Sequence, residues 1–189
     1  MVKKNTCVFI SGTGTNLNAL IKNTRSYHFP INIKLIISNK KNAKGLGLAK
    51  KYNIPYEVIN TKDSLYENKL LTKIKEKKIT FICLAGYMKI LSKNFIVNFK
   101  GKIINIHPSL LPKYKGTNTF ERVLKNREIQ SGCTIHFVNE KIDSGKVILK
   151  KYLRISNFDT TETLKKRTQT IEHKAFPEAI IKIFQWSKL

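Results

Sequence analysis

Acidic residues and arginine are scarce in this chain. It carries 12 Asp and Glu against 36 Lys and Arg, a formal net charge of +24, and only five of the basic residues are Arg. Planar guanidinium forks favour the recognition of bases and phosphates in nucleic acids, whereas here dispersed Lys residues carry the charge. We therefore expect no specific nucleic-acid partner, and we expect the charge to favour small anionic substrates.

Cysteine and long apolar runs are scarce as well. Cys7, Cys83 and Cys133 are far apart and form no CxxC pair, which predicts buried thiols and neither a metal nor a redox site. No apolar run approaches the roughly 18 residues that span a bilayer, and the first run ends at Gly12, too early for a signal peptide. We expect a cytoplasmic protein without a membrane partner, acting as a monomer or homodimer.

The length of 189 residues is typical of one domain, so residues 1–189 are expected to form a single unit. In the first half, short β-branched runs alternate with amphipathic stretches, which is the pattern of βαβ units. The predicted strands are 7–10, 33–38, 56–59, 81–84 and 103–106. The predicted helices are 16–23, 42–52, 64–77 and 92–99, with Asn42, Ser64 and Ser92 as N-caps.

The pattern changes after His107. A loop with Pro and Gly spans 108–116, and a short helix is predicted near 120–125. Alternation over 134–138 predicts a half-exposed strand, 147–155 a second one, and 160–186 a long C-terminal helix bent near Pro177. The expected fold is α/β: a doubly wound, Rossmann-like, mostly parallel sheet with an antiparallel C-terminal addition and a long C-terminal helix.

A turn rich in Gly and hydroxyl groups leads from the first predicted strand into the first helix, with the sequence Ser11-Gly12-Thr13-Gly14-Thr15-Asn16-Leu17. Backbone N–H groups and the helix dipole make such a turn an anion site. Leu17 stands where a dinucleotide fingerprint has its third Gly, and the Gly-Lys-Ser/Thr of a Walker loop is absent. A site for a single phosphate and a purely structural turn both fit these residues.

A side-chain amide and an imidazole stand two residues apart where the fifth predicted strand ends, in Asn105-Ile106-His107-Pro108-Ser109-Leu110-Leu111-Pro112. Ligands of open α/β sheets bind at such strand ends, and Asn105 and His107 can converge there on one oxyanion. Asp143 is one of only three Asp in the chain. Taken singly, His107 could be a structural histidine and Asp143 a hairpin-turn residue.

Together these segments resemble the folate-dependent formyltransferase family over nearly the whole chain. The resemblance rests on residues 105–112 with Asp143 and Gly145, while the turn at 11–17 resembles the phosphate loop of the family's glycinamide ribonucleotide branch. It implies formyl transfer from 10-formyltetrahydrofolate, as co-substrate, to the amine of glycinamide ribonucleotide in de novo purine biosynthesis. It also implies catalytic roles for Asn105, His107 and Asp143, without a metal.

The resemblance further implies two sets of binding residues. Those for the ribonucleotide are Gly12, Thr13, Gly14, Thr15, Asn16, Gln169, Thr170, Ile171 and Glu172. Those for the folate are Met88, Lys89, Ile90, Leu91, Asn105, Asn139, Glu140, Lys141, Ile142 and Asp143. Without the family, 84–91 would be a strand and a turn, and Glu172 and His173 a solvated helix face. His136 is a weaker candidate for the shell around His107.

The chain departs from the family pattern at Lys115, Asn118 and Ser144, where Pro, His and Gly are usual, and three other functions stay open. Methionyl-tRNA formyltransferases share the catalytic pattern, and +24 suits tRNA, but 189 residues leave no room for their additional C-terminal domain. Formyltetrahydrofolate deformylases use water as the acceptor but commonly carry an N-terminal regulatory domain. A basic nucleic-acid-binding module on an enzyme scaffold would show salt-sensitive RNA affinity without formyl transfer.

Overall fold

The structure is a computed structural model that describes residues 2–185. The chain divides into a first unit, Met1–Asn105, and a second unit, Ile106–Leu189. Within the described range, no helix is both long enough and apolar enough to cross a membrane.

Parallel strands form the centre of the first unit. They are β1 (Lys4–Ile10), β2 (Ile31–Ser38), β3 (Tyr56–Val58), β4 (Phe81–Leu84) and β5 (Lys102–His107), whose last two residues belong to the second unit. Their order is β3-β2-β1-β4-β5, and each neighbouring pair is parallel. This order defines a doubly wound sheet whose direction of winding reverses between β1 and β4. Ligands of such sheets bind at the carboxyl ends of the strands, at this switch point.

The helices of the first unit are α1 (Thr15–Thr24), α2 (Leu46–Lys51), α3 (Tyr66–Glu76) and α4 (Lys93–Asn98). The predicted N-cap of α4 is confirmed, because the Ser92 hydroxyl accepts the N–H of Phe95. The other two predicted caps are wrong: α2 follows Gly45 and α3 follows Leu65, neither with a side-chain cap. Before α3 it is Asp63 that accepts the Leu65 N–H, at 2.9 Å, so a turn occupies the segment in which Ser64 lies.

The second unit contains α5 (Thr119–Lys125), β6 (Gln130–Phe137), β7 (Val147–Arg154) and α6 (Thr161–Gln185). β6 and β7 pair antiparallel with a shift of register between Ile135 and His136, and α6 packs against both strands. α6 continues through Pro177, and its predicted end at Trp186 lies outside the described residues. Five parallel strands, an antiparallel pair and a long C-terminal helix confirm the predicted α/β class.

The prediction that the strand around 134–138 is half-exposed is wrong. Residues 131–136 of β6 are all buried, because elements lie against it on more than one side. α6 packs on this strand, and the chain after β5 does so too: Thr134 donates its hydroxyl to the Ser109 oxygen at 2.6 Å and accepts the Leu111 N–H at 3.1 Å. The alternating sequence therefore gave no sign that both a helix and a loop cover this strand.

Candidate active site

His107 ends β5 and has only 5% of its surface exposed. Its Nε2 lies 2.8 Å from the main-chain oxygen of Tyr114, and its Nδ1 lies 3.3 Å from Oδ2 of Asp143. Both ring nitrogens thus face oxygen atoms, which accept hydrogen bonds and repel a nitrogen lone pair. The structure thus brings the candidate catalytic residues His107 and Asp143 together.

Asp143 reaches His107 from the turn between β6 and β7. Its backbone φ is 46°, in the left-handed region that Asp tolerates better than most residues. Oδ2 also accepts the main-chain N–H of Gly116 at 2.8 Å, and Oδ1 lies 3.6 Å from Nε2 of His136. The carboxylate is therefore held among two histidines and one main-chain donor.

His136 completes this cluster from β6, with 2% of its surface exposed. Its Nδ1 lies 2.8 Å from the main-chain oxygen of Phe137, which leaves Nε2 directed at Asp143. The sequence analysis included His136 as a weaker candidate but missed Tyr114 and Gly116. These two contribute main-chain groups, which every residue carries, so residue type offered no signal for them.

Burial sets the charge of the histidine. It lowers the pKa of His107 below its usual value near 6.5, although the charge of Asp143 and the Tyr114 carbonyl act in the opposite direction. Burial by itself would raise the pKa of Asp143, but His136, the Gly116 N–H and the charge of His107 together lower it. At neutral pH the cluster therefore pairs an ionised carboxylate with an imidazole that can take up a proton.

Asn105 lies two residues before His107 on β5. Within the first unit, Asn105 is the register partner of Leu84, the last residue of β4. Asn105 is thus next to the point at which the segment 85–91 leaves the sheet.

The loop 11–14 joins β1 to α1 at the switch point of the sheet, and Thr15 and Asn16 begin the helix. Gly14 precedes α1 with φ 77°, and a Cβ added there would lie 2.6 Å from the Cα of Gly45. A Cβ added at Gly12, in contrast, would meet nothing within 4 Å. Gly14 therefore has a packing role, whereas Gly12 leaves backbone accessible. Of the remaining candidates, Thr13 is exposed, Thr15 is half-buried and Asn16 is buried.

The segment 85–91 lies against this loop. The N–H of Ser11 donates to the Gly86 oxygen at 3.2 Å, and the Ser11 hydroxyl accepts the N–H of Met88 at 2.7 Å. The candidate phosphate residues and the candidate folate residues of the first unit are therefore adjacent.

Two apolar side chains of this segment are exposed to an unusual degree. Met88 is 72% and Ile90 65% exposed, and Lys89 between them is exposed as well. Leu91 is 5% exposed and packs in the core, so its side chain is the least accessible of the four candidates. Met88 and Ile90 therefore leave an apolar surface exposed after the end of β4.

A buried carboxylate holds the far end of the segment. Glu67 on α3 is 9% exposed and accepts the Ser92 N–H at 2.9 Å as well as the Ser92 hydroxyl. Ser92 in turn caps α4 through the N–H of Phe95, at 3.0 Å. The chain from Met88 to Ser92 is therefore anchored at both ends.

The candidate folate residues of the second unit form the turn before Asp143. Asn139 accepts the N–H of Lys141 at 3.1 Å and the hydroxyl of Ser144 at 3.0 Å, which closes the turn. Glu140 and Lys141 are exposed, and Ile142 is 52% exposed. Ser144, which departs from the family pattern, thus stabilises the turn that carries Asp143.

The last candidates lie on α6. Thr170 is exposed and Gln169 and Ile171 are half-buried, whereas Glu172 is only 6% exposed. A solvated helix face at this position is therefore wrong for Glu172, because α6 turns this residue toward β6. Burial and the charge of Glu172 raise the pKa of Cys133, on β6, to about 12. Among residues 2–185, no group of three or more His, Cys, Asp or Glu is arranged to hold a metal ion.

An open α/β sheet with polar groups at its strand ends defines a ligand-binding protein of the doubly wound class. The pattern of one protein family, described as formyl transferase, matches residues 4–180. The chain belongs to the formyl transferase family, as its sequence motifs predict.

Several named proteins are similar to this chain. Human trifunctional purine biosynthetic protein adenosine-3 is 43% identical over 184 residues, which are 94% of this chain and 18% of that protein. The chain thus spans less than a fifth of that relative. Phosphoribosylglycinamide formyltransferase of Haemophilus influenzae is 40% identical over 192 residues, 98% of this chain and 89% of that protein. The crystal structure of phosphoribosylglycinamide formyltransferase from Bacillus halodurans has a TM-score of 0.91 at 34% identity, covering 95% of both chains.

Proposed function

We propose that this chain transfers the formyl group of 10-formyltetrahydrofolate to the amine of glycinamide ribonucleotide, in de novo purine biosynthesis. The observation that carries this proposal is the contact between buried His107, at the end of β5, and half-buried Asp143, whose Oδ2 lies 3.3 Å from Nδ1 of the histidine. The similarity to a phosphoribosylglycinamide formyltransferase over 98% of the chain supports it. We also propose that residues 1–189 act as a single formyltransferase domain, and the match of one family pattern to residues 4–180 supports this.

In the reaction, the amine nitrogen attacks the formyl carbon and the carbonyl electron pair moves onto oxygen. Asn105 donates a hydrogen bond to this oxyanion, and protonated His107 donates one through Nδ1, because its Nε2 proton is held by the Tyr114 oxygen at 2.8 Å. Donors that are already oriented lower the barrier. The amine proton then passes to the leaving nitrogen of the folate as the carbon–nitrogen bond breaks. Asp143 favours the imidazolium and assists this proton movement.

The lowered pKa of His107 fits this role. Burial disfavours the imidazolium in the free enzyme, whereas a developing oxyanion next to the ring would stabilise it. The interaction is therefore stronger in the transition state than in the ground state, which is the condition for acceleration of the chemical step.

Binding is assigned to the accessible main chain of Gly12 and Thr13, with residues 14–16, for the phosphate, and to residues 169–172 for the rest of the ribonucleotide. The helix N-terminus after Gly14 supports an anion there. The folate is assigned to residues 88–91, mainly through the exposed Met88 and Ile90, and to Asn105 and residues 139–143.

The remaining assignments concern the setting of the reaction. We propose a cytoplasmic enzyme that needs no metal, has no specific nucleic-acid or membrane partner and acts as a monomer or homodimer. The net charge of +24 would raise the local concentration of anionic substrates.

The test is a steady-state assay of purified protein with 10-formyltetrahydrofolate and glycinamide ribonucleotide. Formyl transfer that depends on both substrates is expected, and His107→Ala should abolish most of it. Initiator methionyl-tRNA and water serve as competing acceptors in parallel reactions. Faster formylation of the tRNA, or folate deformylation that does not need the ribonucleotide, would assign the site to another acceptor.

A further inference from the structure

The contacts of His107 distinguish its two ring nitrogens. We propose that Tyr114 is a positioning residue for His107: its main-chain oxygen keeps a proton on Nε2, so that Nδ1, facing Asp143, gains and loses the catalytic proton. This role deepens the proposed function and rests on it, because the proton at Nδ1 is catalytic only if the chain transfers formyl groups. The support for this role is the distance from each ring nitrogen to its neighbouring oxygen.

Distance decides which nitrogen keeps its proton. Nε2 and the Tyr114 oxygen are 2.8 Å apart, a separation at which a hydrogen must lie between them because two lone pairs would repel. Nδ1 and Oδ2 of Asp143 are 3.3 Å apart, longer than the roughly 2.7–2.9 Å of a charge-assisted hydrogen bond. Loss of a proton therefore costs less at Nδ1 than at Nε2.

The Tyr114 carbonyl is fixed by its own side chain. Tyr114 has φ 57°, uncommon for a residue with a side chain, and such a conformation persists only where its surroundings hold it. Its hydroxyl donates to Glu128 at 2.8 Å and accepts from the Asn126 amide at 2.9 Å. The guanidinium of Arg122 lies over its ring, 5.4 Å from the centroid. The Tyr114 side chain, held by these contacts, thus directs its own main-chain oxygen at the imidazole.

The charges around His107 give the direction of the pH effect. Burial has the largest influence on the pKa of His107 and lowers it, Asp143 and the Tyr114 carbonyl raise it, and His136 and Arg122 lower it. A displaced Tyr114 carbonyl removes one of the two raising contributions. In Tyr114→Phe the pKa of His107 should therefore fall, and a pH limb set by this residue should move to lower pH.

The first experiment reads the tautomer directly and needs no substrate. Long-range proton–nitrogen NMR of histidine-labelled protein distinguishes the two neutral forms, and His107→Ala assigns the signal among the four His of the chain. Wild type should show neutral His107 protonated at Nε2, and Tyr114→Phe should add a population protonated at Nδ1. Neutral His107 protonated at Nδ1 in the wild type would overturn the proposal.

The second experiment measures kcat against pH for Tyr114→Phe, Glu128→Ala and the double variant. We expect each single variant to lose about 10-fold in kcat with little change in either KM, below the roughly 100-fold that a 1 Å misplacement can cost. The double variant should lose no more than one of the singles, because both break the same contact. Tyr152→Phe, 58% exposed on β7, is the matched control that should behave as wild type.

The outcomes separate this inference from the proposed function. Absence of formyl transfer in the wild type would reject the function, while the tautomer measurement would still test Tyr114. Normal transfer, with tautomer, pH profile and kcat unchanged in Tyr114→Phe, would reject the positioning role alone.

Discussion

The hydroxyl oxygen of Ser11 accepts the main-chain N–H of Met88 at 2.7 Å, across 77 positions of sequence. The same hydroxyl donates to the side-chain oxygen of Asn39 at 2.6 Å. Ser11 begins the proposed phosphate loop and Met88 begins the proposed folate segment. One side chain therefore links the two proposed binding segments of the first unit.

Ser11→Ala should weaken the binding of both substrates, because it removes the hydrogen bond between the two proposed binding segments. Loss of two hydrogen bonds worth about 0.5–1.5 kcal/mol each should lower the free energy of unfolding by about 1–3 kcal/mol. We expect KM to rise for the ribonucleotide and for the folate, with a smaller change in kcat, in steady-state kinetics beside denaturant unfolding. Ser64→Ala, at an exposed position, is the control. An unchanged KM for both substrates would remove Ser11 from this role.

Gly12 and Gly14 should respond differently to substitution by Ala. Gly14→Ala forces a Cβ to within 2.6 Å of Gly45 at φ 77°, so it should destabilise the fold as well as phosphate binding. Gly12→Ala meets no protein atom within 4 Å, so a rise in ribonucleotide KM at wild-type stability would report close approach of a ligand. Gly47→Ala, with equally open space in α2, should leave KM unchanged. Equal KM values in Gly12→Ala and wild type would contradict the phosphate assignment.

Asn105, His107 and Asp143 should act as one catalytic unit. Loss of a preorganised oxyanion donor typically costs about 100-fold to 1,000-fold in kcat, which we expect for Asn105→Ala and for His107→Ala. Asp143→Asn should also lower kcat severely, with ribonucleotide binding largely retained in all three. The combined variant should lose much less than the product of the single losses. Folded variants, as judged by circular dichroism, with near-wild-type kcat would place the chemistry elsewhere.

Asp143→Asn should also change the pH dependence. The carboxylate raises the pKa of His107 against the effect of burial, so its removal lowers that pKa further. The limb of kcat against pH set by His107 should therefore move to lower pH, as measured across the range in which both proteins stay folded. A limb that moves to higher pH would show that another group titrates.

Ser92→Ala should loosen the proposed folate segment at its far end. The variant loses the N-cap of α4, worth about 0.5–2 kcal/mol, and deprives the buried carboxylate of Glu67 of a donor. We expect lower stability in urea and a higher KM for the folate than for the ribonucleotide. Ser156→Ala, an exposed serine of the second unit, provides the comparison. A selective rise in the ribonucleotide KM would argue against this function of the segment.

Local patterns predicted most of the strands because burial on both faces leaves a clear signature. The fourth strand was predicted over the same residues that form β4, Phe81–Leu84, where four apolar residues follow Thr80. The predicted N-caps at Asn42 and Ser64 were wrong, because the first residue of a helix depends on where the preceding turn ends. The prediction that β6 is half-exposed was wrong, because alternation in the sequence cannot reveal a loop that packs on the strand from elsewhere in the chain.

The candidate site likewise contains side chains that the sequence could indicate and main-chain contacts that only the structure shows. Asn105, His107 and Asp143 could be selected from the sequence because an amide, an imidazole and a carboxylate stand at a strand end and in a turn, within segments that resemble the formyltransferase family. The sequence by itself thus determined the family, the fold class and these candidates. Tertiary structure alone decided which neighbours orient His107 and Asp143: the Tyr114 carbonyl and the Gly116 N–H. Main-chain donors and acceptors are identical in every residue, so only the folded path of the chain selects which of them meet the imidazole and the carboxylate.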